Sequence, residues 1–419
     1  MTKGLLLVVN LATGVIVARA LAPAGRGEQA AMGVWSATLS SLFLIGLPVS
    51  LLYNARRFPE ERRKLYSTAL VLVTVLGFVA IAVGEFVVPL FLTKYSWDVV
   101  TFSRLMLVFT LPMMLLLLFQ ASLEVRSDFS TSNLIRYVPP VLTLGALIVL
   151  ELLHRLTPYS AVVAYALPPA FMCVYIGWRL RAEFTLRLND FAATAKRLLR
   201  YGGQSYTIDL IGQFSMQTAQ LLVVGELNAA ELGLYSVALN VSRIINVLHI
   251  SLNVVLFPKA SSLSTEAILA LTGRAARIST ALTIAMGVFF MLVIPVLLPL
   301  LYGREFRGAV MITSILIFEV IVSGVTSVLA QAFMATGRPG AVAIMQGAGT
   351  LLAIPLMLVL IPRFGIVGAA SALLVSTCTR FVFIMSSFPY LLHAKPPGLF
   401  LLRGDVHYLR DRLAMVGKS

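Results

Sequence analysis

Residues 18–57 read ARALAPAGRGEQAAMGVWSATLSSLFLIGLPVSLLYNARR, and this stretch decides the fold. An apolar helix ends near Arg19, and a short turn rich in proline and glycine follows it. A second apolar helix begins near Gln29 and stops at the basic residues Arg56 and Arg57. About 20 apolar residues in a helix cross a bilayer, at a rise of about 1.5 Å each. The stretch therefore predicts a membrane hairpin with a tight polar turn on one side and a basic loop on the other.

The composition extends this prediction to the whole chain. Hydrophobic residues make up 59% of the 419 residues, charged residues make up 12%, and the mean hydropathy is +0.91. A soluble chain is about half apolar and a quarter charged. We therefore predict an all-α, polytopic membrane protein. Its start, Met1-Thr2-Lys3, leads directly into an apolar run, which indicates a first span rather than a cleaved signal peptide.

Twelve apolar segments are predicted to span the membrane. They cover residues 4–22, 29–53, 65–93, 99–123, 133–153, 159–178, 201–224, 231–257, 278–302, 308–335, 340–361 and 365–392. The two cysteines, Cys173 and Cys378, fall in such segments far apart, so we expect them to pack between helices rather than to bind metal or form a disulfide.

The two halves of the chain echo each other. GVWSA from Gly33 is echoed by GLYSV from Gly233, and FQASLEVRSDF from Phe119 by AQAFMATGRPG from Ala330, at offsets of about 200 and about 211 residues. Chance similarity between apolar segments is the alternative. Repeats of this kind are typical of transporters. The echoes predict two pseudo-symmetric six-helix lobes.

The predicted domains follow from these spans. The N-lobe covers residues 1–178, the C-lobe covers 201–392, and a basic cytoplasmic tail covers 393–419. Residues 179–200 mix apolar and basic side chains, which predicts an amphipathic linker helix on the inner membrane surface. A solvated basic loop is the alternative for the linker.

The basic residues indicate the orientation. With the amino terminus inside, the inner segments hold about 22 Lys and Arg residues and the outer segments about 7. This asymmetry predicts that both termini are cytoplasmic. It also accounts for the net charge of +15 without a nucleic-acid partner.

Ionisable side chains deep in predicted spans mark the candidate site, because they are costly in a bilayer. Arg243 and Glu319 lie near the midplane, and Arg380 lies somewhat to the inner side. Arginine binds phosphate in a bidentate manner and stays charged when buried. One hypothesis is that Arg243 and Arg380 hold an anionic diphosphate head group in a central cavity. The other is that Arg243 forms a structural ion pair with Glu319.

Further residues complete the predicted site. Gln217 and Asn240 make the seventh and eighth spans polar, which is compatible with sugar hydroxyls and equally with bonds between helices, and Arg136 near a helix end is a further substrate-binding candidate. Asp209 and Glu319 are candidates to bind a coupling H⁺ or Na⁺, the alternatives being a hydrogen-bonded carboxylate and the ion pair. The sequence shows no P-loop and no His-rich metal cluster, so we predict no enzyme activity, no catalytic residue, no metal and no cofactor.

Several motifs resemble those of a known family. They are ARALAPAGRGEQAAMGVW from Ala18, GLPVSLLYNARR from Gly46, NAAELGLYSVALNVSRIINVL from Asn228, LFPKAS from Leu256, GRP from Gly337 and RFGIVGAASALL from Arg363. The chain resembles prokaryotic polysaccharide-biosynthesis membrane proteins, the Wzx-type flippases, whose superfamily also holds multidrug exporters and flippases of lipid-linked peptidoglycan precursors. It departs from some relatives in that residues 216–224 hold no acidic side chain.

This resemblance implies two six-helix lobes around a cavity that opens alternately to either side. It implies a flippase of the prokaryotic cytoplasmic membrane that moves an undecaprenyl-diphosphate oligosaccharide outward for cell-surface polysaccharide synthesis. The expected partners are the lipid-linked glycan, the bilayer and, as an open question, other polysaccharide assembly proteins. The rival is a cation-coupled multidrug exporter of the same superfamily. A membrane glycosyltransferase or polymerase would need catalytic carboxylates or a large outer loop, and an accessory scaffold without transport is a third alternative.

Overall fold

The computed structural model describes residues 2–184, 190–246, 265–402 and 405. All regular secondary structure in these residues is helical. The helices are α1 (Thr2–Phe43), α2 (Leu47–Arg57), α3 (Arg62–Phe91), α4 (Trp97–Met106), α5 (Thr110–Val125), α6 (Phe129–Leu152), α7 (Pro158–Leu180), α8 (Phe191–Glu226), α9 (Ala229–Ser242), α10 (Thr265–Tyr302), α11 (Ala309–Ala335) and α12 (Pro339–Leu391). The prediction of an all-α polytopic membrane protein is confirmed.

The described helices account for eleven of the twelve predicted spans and begin the remaining one. Within the described residues, eight helical stretches are long and apolar enough to cross a membrane. Two of them hold two predicted spans each, because α1 is kinked at Ala22 and α12 at Gly365. Helix α8 covers the seventh predicted span, and α9 begins the eighth, which continues into residues outside the described part.

The turn in the opening hairpin is shorter than the sequence predicts. The backbone departs from helical geometry at Ala22 alone, with φ 55° and ψ 178°, and the helix continues through Pro23. Proline is tolerated in a first helical turn, because the N–H that it lacks has no partner there. The second span is instead interrupted at Ile45 and Gly46, both with positive φ, before α2 begins.

The predicted linker is largely part of its neighbouring helices. Helix α7 continues to Leu180, and α8 begins at Phe191, so residues 191–200 form one continuous helix with the seventh span. Residues 185–189 lie outside the described part. Placement of the linker on the membrane surface stays a prediction.

The chain divides into two compact units. Unit 1 comprises Met1–Ser236 with Leu301–Glu305, and unit 2 comprises Val237–Leu300 with Phe306–Ser419. Lobe borders at 1–178 and 201–392 stay a prediction. In unit 1, Phe119 and Leu123 of α5 pack against Ile176 of α7 and its neighbours. In unit 2, helices α10, α11 and α12 share a core that includes Ala276, Phe333 and Phe388.

The carboxyl-terminal segment of unit 2 is fastened to α10. Leu399 packs against the unit 2 core. The buried carboxylate of Asp405 accepts hydrogen bonds from Arg277, at 2.6 Å from Nε and 3.0 Å from Nη2, and lies 3.5 Å from Arg274. These bonds from Arg277 hold the pKa of Asp405 below its usual range. We call this contact the clasp. The rest of the predicted tail, 403–404 and 406–419, lies outside the described residues.

Candidate functional site

Two helices of unit 2, α11 and α12, bring Glu319 and Arg380 together. Thr377 Oγ1 donates a hydrogen bond to Glu319 Oε1 at 2.7 Å and accepts one from Arg380 Nη2 at 2.7 Å. Arg380 Nη2 lies 3.9 Å from Glu319 Oε1. Thr377 and Arg380 are three residues apart, so they share one face of α12. We call Glu319, Thr377 and Arg380 the polar cluster.

The polar cluster is largely removed from solvent. The side chain of Glu319 is 17% exposed, that of Arg380 is 29% exposed, and Thr377 is buried. Charges in such surroundings are tolerated when they are paired and hydrogen-bonded. Arg380 Nε is buried and has no hydrogen-bond partner among the described residues. One donor of the guanidinium is therefore unsatisfied within the part of the chain that the structure describes.

The position of Arg380 depends on Gly349 in the first half of α12. A Cβ atom at Gly349 would lie 2.2 Å from Cγ and 2.4 Å from Cδ of Arg380, so only glycine leaves room for the arginine stem. Ser376 Oγ also donates a hydrogen bond to the Gly349 carbonyl at 2.7 Å. The two halves of α12 pack side by side in this way because the chain turns at Gly365, whose φ of 54° suits glycine.

Arg243 lies in a 3₁₀ turn, Arg243–Ile245, at the end of α9. It is exposed, and its charge acts on Glu319 more weakly than that of Arg380. Both belong to unit 2. The contacts of Glu319 in the described residues are with Thr377 and Arg380. The role of Arg243, as substrate ligand or as ion-pair partner, stays a prediction.

The remaining predicted residues lie elsewhere. Gln217 of α8 donates a hydrogen bond from Nε2 to Ser41 Oγ at 2.8 Å within unit 1. Asn240 of α9 and Arg136 of α6 are exposed, in unit 2 and unit 1 respectively. Asp209 lies in α8, and its side chain is outside the described part. The structure thus joins two of the seven predicted residues directly, Glu319 and Arg380.

Sequence reasoning missed Thr377 and Gly349. The spacing of Thr377 and Arg380 on one helical face was a visible signal for the first. Gly349 carried no such signal, because its role depends on contact between the two halves of α12. Within the described residues, no group of three or more His, Cys, Asp or Glu side chains could hold a metal ion. The chemistry that this site offers is binding of an anion by arginine beside a carboxylate.

Comparison with known proteins gives a family and a fold. A family model described as polysaccharide biosynthesis protein matches residues 16–311. No curated protein matches the sequence. The structure of the lipid II flippase MurJ in an inward closed conformation superimposes with a TM-score of 0.76 at 13% identity, covering 93% of this chain and 86% of that one.

Two transporters of the MOP superfamily are also similar. An inward-facing multidrug resistance MATE family transporter has a TM-score of 0.72 at 15% identity, with 92% of this chain and 95% of that one covered. A transporter from Pyrococcus furiosus, described by a binding pocket of reverse polarity that suggests a different function, has a TM-score of 0.57 at 15% identity, with 91% and 90% covered. At these identities the likeness establishes the fold.

Proposed function

The chain belongs to the polysaccharide biosynthesis protein family, and from that premise we propose that it is a flippase for a lipid-linked oligosaccharide. The observation that carries the proposal is the polar cluster, in which a largely buried arginine has a buried donor without a partner in the described residues. A diphosphate offers the oxygens that a guanidinium binds best. The fold shared with a lipid II flippase supports the same proposal.

The proposed mechanism is alternating access. Arg380, with Arg243, holds the diphosphate of the head group in a cavity while the lipid tail stays in the bilayer. Glu319 competes for Arg380 through Thr377, so binding of H⁺ or Na⁺ by the carboxylate frees the guanidinium for substrate. Asp209 is a second candidate for the coupling ion. Arg136, Gln217 and Asn240 are proposed to contact the glycan. No covalent bond is broken, so no residue is assigned a catalytic role.

The proposed location is the prokaryotic cytoplasmic membrane, with both termini inside, as the distribution of Lys and Arg favours. The substrate is proposed to be an undecaprenyl-diphosphate oligosaccharide, delivered outward to other polysaccharide assembly proteins. The runner-up function is export of organic cations. A cationic side chain in the candidate site disfavours it, because arginine repels such a substrate.

Flipping by the purified protein in liposomes tests the proposal. A fluorescent undecaprenyl-diphosphate oligosaccharide is followed with wild-type protein, Arg243→Ala and Arg380→Ala. We expect protein-dependent movement that both substitutions abolish while the protein stays folded. Absence of movement together with uptake of organic cations would transfer the assignment to a drug exporter and make the arginines structural.

A further inference from the structure

A second arrangement of cationic and aromatic side chains lies in unit 1, where α2 packs along the start of α8. A Cβ atom at Gly202 would lie 2.7 Å from the carbonyl oxygen of Ile45, so the two backbones approach closely. One α2 turn further on, Ser50 Oγ donates a hydrogen bond to the Leu198 carbonyl at 2.7 Å. These contacts fix α2 against α8 and thereby fix the side chains at its end.

Tyr53 and Arg57 of α2 and Tyr201 of α8 lie at one end of the contact between these two helices. The rings of Tyr53 and Tyr201 stack with centroids 4.1 Å apart at an angle of 12°. Arg57 Nη1 donates a hydrogen bond to the Tyr53 hydroxyl at 2.6 Å. Tyr53 is 37% exposed and Arg57 is exposed. The stack therefore orients a guanidinium that remains accessible.

The charge of Arg57 is not balanced locally. The guanidinium groups of Arg57 and Arg197 lie 5.8 Å and 4.9 Å from the ring centroid of Phe58. Arg197 is ion-paired with Glu61. Arg57 has no carboxylate within 4.0 Å among the described residues. Of the two arginines, Arg57 is thus the one that is free for an external anion.

We propose that Tyr53, Arg57 and Tyr201, the Tyr53 cluster, form a loading site for the phosphate-bearing head group of a lipid. This inference rests on the proposed function, since the cluster lies at the end of the second span that the basic residues place inside. The guanidinium fork binds phosphate oxygens. The exposed tyrosine supplies an apolar face with a polar edge, which suits a sugar next to the phosphate.

Binding to the full-length protein in nanodiscs of neutral lipid tests the site. The probes are radiolabelled undecaprenyl diphosphate carrying one sugar and, separately, phosphatidylglycerol, since both offer a phosphate. We expect Arg57→Gln to weaken binding of the first probe about tenfold. Tyr53→Phe keeps the ring but removes the hydroxyl that orients Arg57, so a loss of about threefold is expected. Tyr201→Leu removes the stack.

The matched control is Arg63→Gln, which removes the same charge from an exposed arginine at the start of α3. We expect it to leave binding of undecaprenyl diphosphate unchanged. Equal losses for Arg57→Gln and Arg63→Gln, equal binding of phosphatidylglycerol, or no binding by the wild type would each overturn the loading site. If the wild type flips the lipid and Arg57→Gln does not change binding, the proposed function stands and only the loading site is overturned. If the wild type binds the lipid through Arg57 but does not flip it, the loading site stands and the proposed function is overturned.

Discussion

Two helix pairs that correspond by order in the repeat differ in the polarity of their contacts. In unit 1, α5 and α7 belong to the fourth and sixth spans, and their contact is apolar, with Phe119, Leu123 and Ile176 in it. In unit 2, α11 and the second half of α12 are the tenth and twelfth spans, and their contact adds Glu319 and Arg380 to an apolar part with Phe333 and Phe388. An apolar contact needs only shape, whereas a charged one must satisfy each hydrogen bond. The comparison indicates that, of these two contacts, the one in the second half of the repeat holds the ion pair.

The largest expected effect is at Arg380. Replacing it with Ala removes the cation proposed to hold the diphosphate, and flipping should fall about 100-fold. Stability should fall as well, because Glu319 loses its cation and keeps only the bond from Thr377, so the rate is compared per folded molecule. The rate in liposomes and the melting temperature are measured together. Arg104→Ala is the control, since it breaks the more exposed pair with Glu85, 2.5 Å apart. A wild-type rate for Arg380→Ala contradicts a functional role for the unit 2 contact.

A smaller loss is expected when Arg380 is displaced rather than removed. Gly349→Ala places a methyl group where the arginine stem lies, so flipping should fall about tenfold. Ala is the better helix former by about 1 kcal/mol, which offsets part of the cost of moving the arginine stem, so the loss of stability should be small. Gly340→Ala, where a Cβ meets nothing within 4 Å, should leave the rate unchanged. Equal rates for the two variants would mean that the position of Arg380 is unimportant.

Glu319→Gln tests whether the carboxylate couples transport to an ion. The amide still accepts the bond from Thr377 but cannot bind a proton or Na⁺ as a charged group. We expect flipping without a gradient to change about threefold at most, and acceleration by an imposed H⁺ or Na⁺ gradient to disappear. Glu85→Gln is the control. A gradient response that persists in Glu319→Gln would assign the coupling elsewhere, with Asp209 next.

The apolar counterpart in unit 1 should respond in the opposite manner. Leu123→Ala leaves a cavity at a residue that is 1% exposed and should lower stability by about 2–4 kcal/mol. Flipping per folded molecule should stay within about twofold, since no charge or ligand group changes. The measurements are thermal unfolding in detergent and the liposome rate normalised to folded protein. A specific loss of flipping would show that this contact, too, is part of the transport machinery.

The smallest effect on flipping is expected at the clasp. Because the pKa of Asp405 is lowered in the folded protein, its contribution to stability is fully present above the ordinary value of about 3.9 and is lost as the pH falls through the lowered value. Labelling of Leu399→Cys, with Cys173 and Cys378 replaced by Ala, should be slow at neutral pH and fast in Asp405→Asn. Phe400→Cys, at a residue already 89% exposed, is the control and should be labelled rapidly throughout.

Sequence reasoning reached the architecture because membrane spans follow from hydropathy, which is local. It also singled out Glu319 and Arg380, which the structure brings together, since charge within an apolar run is visible in one dimension. It missed Thr377 and Gly349, whose importance arises only where two helical segments meet. The kink at Ala22 was also missed. Proline and glycine indicate that a helix is interrupted, but they do not show whether the interruption takes one residue or six. The interruption at Ile45 and Gly46 was missed for a similar reason, because an unbroken apolar run gives no sign that the backbone φ becomes positive within it.

The clasp has a consequence for the order in which the protein is made. Arg277 and Asp405 are 128 residues apart, so the ribosome adds Asp405 well after it has added Arg277. Helix α10 is therefore synthesised, and can enter the membrane, long before the carboxylate that fastens it exists. Completion of unit 2 must therefore wait until Asp405 has been added, and any message that ends before codon 405 yields a chain whose Arg277 never receives this partner.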